Sequence, residues 1–367
     1  MSEDARTVIV TGAAGNLGTR LLPMLDGFRI VAVDRVPPVL DLPFRFEQID
    51  FGREQSCRQL LDLLRETGAS AVVHLAFVID PQRTGVTQEQ RMWQINVAGT
   101  ARVMEAISVV NRSGGQVKKL VYPSSVSVYG PDLPKPVTEE QPLAAHTLPY
   151  AVHKREADQV VQARASTLGD CSVYLLRPNI FAGASMENYL IDILRNRPYG
   201  RGWLGRRLRE KGKRLPAILP FGEKYMATKF QYIHVDDVAR LMAYLLRREP
   251  SPAGLKILNV AGRGESLSFR RCAQIAGAKV VRVPGKFLCR LLLEIGWKIG
   301  AACVPPQAVP YFTGTYTMDT TRLQKFLGKD YEDVIRYTVE DALADSFVKE
   351  RGTNASAHAE QAVSAAG

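Results

Sequence analysis

Ser125, Tyr150 and Lys154 are the residues of this chain whose types and spacing promise chemistry. Tyr150 and Lys154 stand four apart, on one face of a helix that Pro149 would open, so the spacing sets an ammonium beside a phenol. A free tyrosine titrates near pH ~10, too high for a general base at neutrality, and a neighbouring cation favours its charged form. Ser125 closes the strand-like run Lys118-Lys-Leu-Val-Tyr-Pro-Ser-Ser125, where its hydroxyl can share a hydrogen bond with an oxygen being deprotonated. Taken alone, Tyr-x-x-x-Lys also describes a plain surface helix, so the elements around it decide its meaning.

The first of those elements is the turn Thr11-Gly-Ala-Ala-Gly-Asn-Leu-Gly18, between the apolar run Thr7-Val-Ile-Val10 and the helical spacing of Asn16 to Leu25. At such a junction Gly12 permits a tight turn, Gly15 lets the backbone approach a pyrophosphate, and Gly18 lets helix and strand pack closely. The N–H groups of Asn16 and Leu17 then open the helix toward the anion. About 20 residues on, a dinucleotide site needs an acid for the ribose hydroxyls. Arg29-Ile-Val-Ala-Val-Asp34 ends in one, and its charge would repel a ribose phosphate, favouring NAD over NADP. Arg35 beside it keeps NADP as the alternative, because a guanidinium accepts a phosphate.

With these segments the chain resembles an extended short-chain dehydrogenase/reductase of the NAD-dependent epimerase/dehydratase family over roughly residues 6 to 350, and is similar to nucleotide-sugar 4-epimerases. Further matching runs are Val72-Val-His-Leu-Ala76, Asn96-Val-Ala-Gly-Thr100, Tyr122-Pro-Ser-Ser-Val-Ser-Val-Tyr-Gly130, Leu176-Arg-Pro178 and Phe230-Gln-Tyr-Ile-His-Val-Asp-Asp-Val-Ala239. The resemblance implies that Asp50 and Phe51 flank an adenine, that Leu75, Ala76 and Pro178 line the cofactor cleft, and that Asn96 helps hold the lysine and a water. It implies that Tyr150 and Lys154 also contact the cofactor, and that the chain forms a homodimer through helices starting near residues 88 and 150. The chain departs from the family twice. Ile180 stands where an asparagine is usual, with Asn179 one residue early, and Val126-Ser127 replace the Asp-Glu pair that dehydratases carry. Without that acid pair, 4,6-dehydration is not expected.

Strand-like and helix-like segments alternate to about residue 178, the mark of an α/β fold with a Rossmann-type, doubly wound parallel sheet. The cofactor domain is expected to be residues 1–178 plus about 230–260, and a smaller C-terminal substrate lobe about 180–229 and 262–350. Asp341 to Glu350 reads as a terminal helix and 351–367 as a disordered tail. Five cysteines without a Cys-x-x-Cys pair, and an N-terminus lacking a secretory signal, point to reduced thiols in a cytoplasmic protein. His74 and His234 lack metal-ligand company, and Asp236 or Asp237 is expected to cap a helix; no metal site is expected.

The net charge of +11 is uneven. Arg195, Arg197, Arg201, Arg206, Arg207, Arg209, Lys211, Lys213 and Arg214 crowd one stretch with only Glu210 opposing them. They suit a diphosphate clamp, an anionic lipid surface, or a solvated loop. Nucleic acid is disfavoured, since Tyr199 and Trp203 are the only aromatics here for stacking. Phe287 to Val304 is the most apolar stretch, but Arg290, Glu294 and Lys298 interrupt it on one face. It therefore reads as an amphipathic helix packing the substrate lobe and not as a membrane span, with a lipid-surface role or an apolar substrate wall as alternatives.

The function expected is epimerisation of a nucleotide sugar, most typically at C4, through a transient keto form. The alternative is a net NAD(P)-dependent dehydrogenase or reductase on a sterol-like or other apolar substrate, and the third reading is a non-catalytic cofactor-binding protein.

Overall fold

Apolar residues alternating between two helix layers dictate the sheet. The computed structural model describes residues 5–79, 84–197, 200, 202–249, 252–302 and 304–348. The strands are β1 (Thr7–Thr11), β2 (Arg29–Asp34), β3 (Arg45–Gln48), β4 (Ala71–His74), β5 (Lys119–Pro123), β6 (Ser172–Pro178) and β7 (Ile180–Ala182). They continue with β8 (Ala217–Pro220), β9 (Lys229–Phe230), β10 (Tyr232–His234), β11 (Gly254–Val260), β12 (Leu267–Ser268) and β13 (Val280–Val283). Seven form one parallel sheet in the order β11-β6-β5-β4-β1-β2-β3, the doubly wound arrangement expected. The strand order reverses between β1 and β4, where the carboxyl ends of strands in such a sheet open a crevice.

The helices that matter for the site are α1 (Asn16–Leu21), α2 (Ser56–Thr67), α3 (Gly99–Arg112), α4 (Pro149–Arg164), α5 (Trp203–Glu210), α6 (Val235–Arg247), α7 (Gly285–Lys298) and α8 (Val339–Asp345). Ile9, Val31, Val72 and Leu120 turn one way and pack on α2, α3 and α4. Their neighbours Val8, Val10, Ala32 and Val73 turn the other way onto α1 and α6. This period of two fills both layers from a near-continuous apolar run. Lys119 ties the layers together: its buried ammonium donates to the carbonyls of Leu245 at 2.9 Å and Leu246 at 2.8 Å, at the end of α6, and to that of Arg248. Cations suit a helix C-terminus, whose last carbonyls lack intrahelical partners.

A third core, including Val126, Leu190, Leu219, Phe269 and Tyr316, lies under the short strand pairs β7–β10, β8–β13 and β9–β12. Several local expectations change here. His234, not Asp236 or Asp237, caps α6, its Nδ1 accepting from the Asp236 N–H at 3.1 Å. Asp236 instead pairs with Arg20 at 2.9 Å, and Asp237 with Arg240. The terminal helix starts at Val339, because the Thr338 hydroxyl accepts from the Asp341 N–H at 3.0 Å, and ends at Asp345. The expected tail lies outside the described residues, as do Tyr199, Arg201 and Cys303.

The basic stretch and the apolar helix also differ from expectation. Arg195 points inward and donates to the carbonyls of Ser346 at 2.7 Å and Met186 at 3.0 Å, while residues 203–210 form α5 and not a loose loop. Helix α7 buries Cys289 but leaves Phe287, Leu291, Leu292 and Ile295 exposed, so its apolar side is only partly covered. Among the described residues, no helix is long and apolar enough to cross a membrane.

Candidate active site

The glycine turn closes the crevice at its first strand. Gly12 has φ +68°, and a Cβ there would lie 2.5 Å from the Ala76 nitrogen, so both backbone conformation and space demand glycine. A Cβ on Gly18 would lie 2.4 Å from the Ala13 carbonyl oxygen, so here the start of α1 packs on the turn itself. Gly15 is exposed and extended, without a side-chain cap, so the first N–H groups of α1 stay open at the cleft. Such a cradle fits a pyrophosphate.

Asp34 and Arg35 follow at the end of β2. The Asp34 carboxylate accepts from the Ala14 N–H at 3.0 Å and the Arg35 N–H at 2.7 Å, fixing the turn to the next strand. Burial raises its pKa, opposed by those two N–H groups and the Arg35 charge. The Arg35 side chain is exposed.

A cleft of about 310 Å³ runs from this turn to the third core. Gly12, Gly15, Asn16, Leu17, Gly18, Leu75, Ser125, Tyr150, Lys154 and Pro178 all line it. Ser125 ends the turn out of β5, and its Oγ lies 3.1 Å from the Ser127 hydroxyl, which donates to it. Tyr150 stands one residue inside α4, just after Pro149, whose fixed φ suits the first helical position. Burial raises the phenol pKa, and hydrogen bonds with Ser125 and then Ser127 oppose the rise.

Lys154 occupies the same cleft but serves different partners from those its spacing implied. Its Nζ donates to the Pro123 carbonyl at 2.8 Å and sits 3.7 Å from the centre of the Phe77 ring. Helical spacing sets a shared face, whereas the far end of a lysine goes to whatever acceptor tertiary packing supplies. Burial pushes its pKa down from 10.5 to about 7, partly offset by Asp158. The unfolded chain therefore keeps a proton on this amine up to about pH 10.5, while the folded chain releases it above about 7. Between these values the unfolded state binds more protons, so this group makes stability rise with pH. Against Lys154→Met, wild type is expected to gain up to about 1.4 kcal/mol per pH unit in urea unfolding across that window. A difference that stays flat from pH 7 to 10 contradicts this.

Four other expected contacts have partners of their own within the chain. Phe51 is 3% exposed, its ring packing edge-on to His74 at 5.7 Å and its carbonyl accepting from Arg102 at 2.9 Å. Asp50 is tied down by the Gly52 N–H at 2.9 Å and by the Arg91 guanidinium. Buried Asn96 holds neither lysine nor helix end. It clasps the Val78 backbone, accepting from its N–H at 2.6 Å and donating to its carbonyl at 3.0 Å. Ala76 lies behind Leu75, its N–H donating to Thr11 Oγ1 at 3.3 Å. The basic residues of the 195–214 stretch are absent from the described lining of the cleft, where Lys154 is the one cation.

Comparison with known proteins gives the family. Residues 8–261 match the family described as NAD dependent epimerase/dehydratase. This chain belongs to that family. It is 30% identical over 303 residues to UDP-glucose 4-epimerase 4 of Oryza sativa subsp. japonica, covering 77% of this chain and 79% of that protein. The UDP-glucose 4-epimerase of Neisseria meningitidis is 26% identical over 282 residues, covering 71% and 79%. The crystal structure of the Thermus thermophilus UDP-glucose 4-epimerase complexed with NAD shares the fold, with a TM-score of 0.63 at 19% identity, covering 93% and 98%.

As an NAD-dependent family member, the chain surrounds its cleft with a network that the motifs understate. Arg177 and Asp158, 1% and 0% exposed, form a two-pronged pair at 2.9 Å on each prong. Asp158 also accepts from Ser124 at 2.6 Å, and Arg177 donates to the Tyr129 hydroxyl at 2.8 Å. Tyr129 donates in turn to Asn259 at 2.7 Å. The network thus joins β5, α4, β6 and β11 behind Ser125 and Tyr150. Asp158 was readable as the next four-residue step after Tyr150 and Lys154; Ser127 carried no signal beyond its place two residues after Ser125.

Proposed function

We propose that this protein is an NAD-dependent epimerase of a nucleotide sugar, acting at C4 with UDP-glucose and its C4 epimer as the first pair to try. The observation that carries the reading is the placing of Ser125, Tyr150 and Lys154 in one cleft with the glycine turn, without an Asp-Glu pair beside Ser125. The relatives named as UDP-glucose 4-epimerases support it. Gly12, Gly15 and Gly18 would cradle the pyrophosphate and Asp34 the adenosine ribose. NAD held there supplies a hydride acceptor and later donor.

Tyr150, as phenolate, takes the proton of the C4 hydroxyl, while the C4–H bond breaks with both electrons leaving as hydride and a C4 carbonyl forms. Ser125 donates a hydrogen bond to that oxygen, and Ser127 supports Ser125. Lys154 would hold the nicotinamide ribose and, in its protonated form, supply positive charge within the buried site, where charge acts strongly. When the sugar has turned, hydride returns to its other face and Tyr150 gives the proton back. Redox change is zero overall.

We extend the proposal to organisation. The cofactor domain comprises residues 1–178 with about 230–260, the substrate lobe comprises about 180–229 and 262–350, and the enzyme is a homodimer through the helix near residue 88 and α4. An observation also favours a second reading, net oxidation or reduction of an apolar substrate: Phe77, Ile79, Ile180, Phe181 and Phe312 wall the cleft. The test is incubation with UDP-glucose alone. Appearance of the C4 epimer without net NADH supports the epimerase; no epimer from UDP-glucose, with NADH formed from an apolar alcohol supplied with NAD, overturns it in favour of the second reading.

A further inference from the structure

Helix α7 carries three faces. At about 100° per residue, Cys289, Leu293 and Gly296 fall together on the side that meets the lobe. Lys286, Arg290, Glu294 and Lys298 form a second, charged strip. Phe287, Leu291, Ile295 and Ile299 recur every four residues between these two, and the stripe continues along the helix into solvent, with Phe287 80%, Ile295 48% and Ile299 49% exposed. A soluble helix ordinarily gives that position to polar residues.

The end of this stripe meets a second helix. The Gly300 backbone is packed so closely on Gly202 that a Cβ on Gly300 would lie 2.6 Å from the Gly202 Cα. That contact brings the start of α5 to the end of α7; Trp203, 63% exposed, follows Gly202 in the chain, and Ile299 precedes Gly300. From there α5 and the residues after it present Arg206, Arg207, Lys211, Lys213 and Arg214 to solvent. Among the described residues none of these five is in an ion pair, while on α7 Glu294 is already taken by Lys298 at 3.1 Å.

We propose that the protein docks on an anionic lipid bilayer through α7 and α5. The apolar stripe enters the interface between headgroups and acyl chains, Trp203 sits at the headgroup level, and the arginines and lysines of α5 face the phosphates. Charge complementarity selects this occupant. A second copy of the chain would bring the same basic helix to a two-fold contact, and like charges oppose it. The lipid surface supplies both the apolar layer and the negative charge.

The test is sedimentation of the full chain with vesicles of phosphatidylcholine, alone or mixed with phosphatidylglycerol. Wild type is expected to sediment with the mixed vesicles at low salt, and to be released by high salt. Arg206→Gln with Arg207→Gln lowers that partition roughly 25-fold, each charge near the surface being worth about fivefold. Phe287→Ser with Ile295→Ser removes binding to either vesicle while thermal midpoint and turnover stay at the wild-type level. Failure of wild type to sediment at low salt overturns the proposal, as does sedimentation unaffected by both double variants. A fall in mass by light scattering for Phe287→Ser with Ile295→Ser, without vesicle binding by wild type, assigns the face to a second copy and overturns it too.

Discussion

Tyr150→Phe is expected to lower turnover by on the order of a thousandfold or more while leaving thermal stability and nucleotide content close to wild type. The hydroxyl that the variant loses lies in the cleft and hydrogen-bonds with Ser125 and Ser127; on the proposed mechanism it is the group that exchanges the proton of the C4 hydroxyl. The ring stays, and with it the edge-on contact to Phe77 at 6.0 Å, so packing changes little. Burial raises the phenol pKa, so the protein alone favours its protonated form. On the proposed mechanism, positive charge on a bound oxidised nicotinamide, added to that of protonated Lys154, would draw the proton off. A Tyr150→Phe variant with near-normal turnover rules out Tyr150 as the base. Loss of turnover together with loss of fold would instead mark it as structural.

The second large effect is on stability. Arg177→Ala is expected to lose about 3–5 kcal/mol in denaturant unfolding, because it leaves the Asp158 carboxylate buried beside an empty space with its charge unbalanced. Asp158→Ala has a similar cost for the opposite reason, stranding a guanidinium. Replacing both, as Arg177→Met with Asp158→Leu, is expected to be far less damaging than the sum of the two single changes, since neither charge then remains. The activity of that double variant should still fall, because Asp158 holds Ser124 next to Ser125 and the pair fixes α4 against β6. Additive losses in stability would mean that the two residues contribute separately and that the pair is not a unit.

Sheet, glycine turn and cleft were legible because each rests on backbone chemistry that sequence states directly. Gly12 is required by a positive φ and a close strand, Pro149 by the start of a helix, and the paired layers by a period of two. What sequence withheld was the direction of side chains whose partners are distant in the chain. Lys154 turned to Pro123, Asn96 to Val78 and Phe51 to His74, each choosing among acceptors or packing neighbours that only the folded sheet brings near. The same reason explains α7. Its amphipathic period was plain, yet period alone cannot say whether an apolar stripe meets a protein core or stays outside. The arginines of residues 195–214 divide likewise, with Arg195 spent on carbonyls of the chain's own C-terminal turn and Arg206 and Arg207 left on the surface. The motif Leu176-Arg-Pro178 named Arg177 without its role, because a buried ion pair depends on a carboxylate 19 residues away on another element.

The central claim, that hydride leaves and returns within one site, is tested most directly by supplying UDP-glucose carrying deuterium at C4 and following the C4 position by nuclear magnetic resonance. Inversion at C4 with the deuterium retained and no NADH released is the expected result. Deuterium appearing instead in free NADH, with a keto sugar as product, would contradict it.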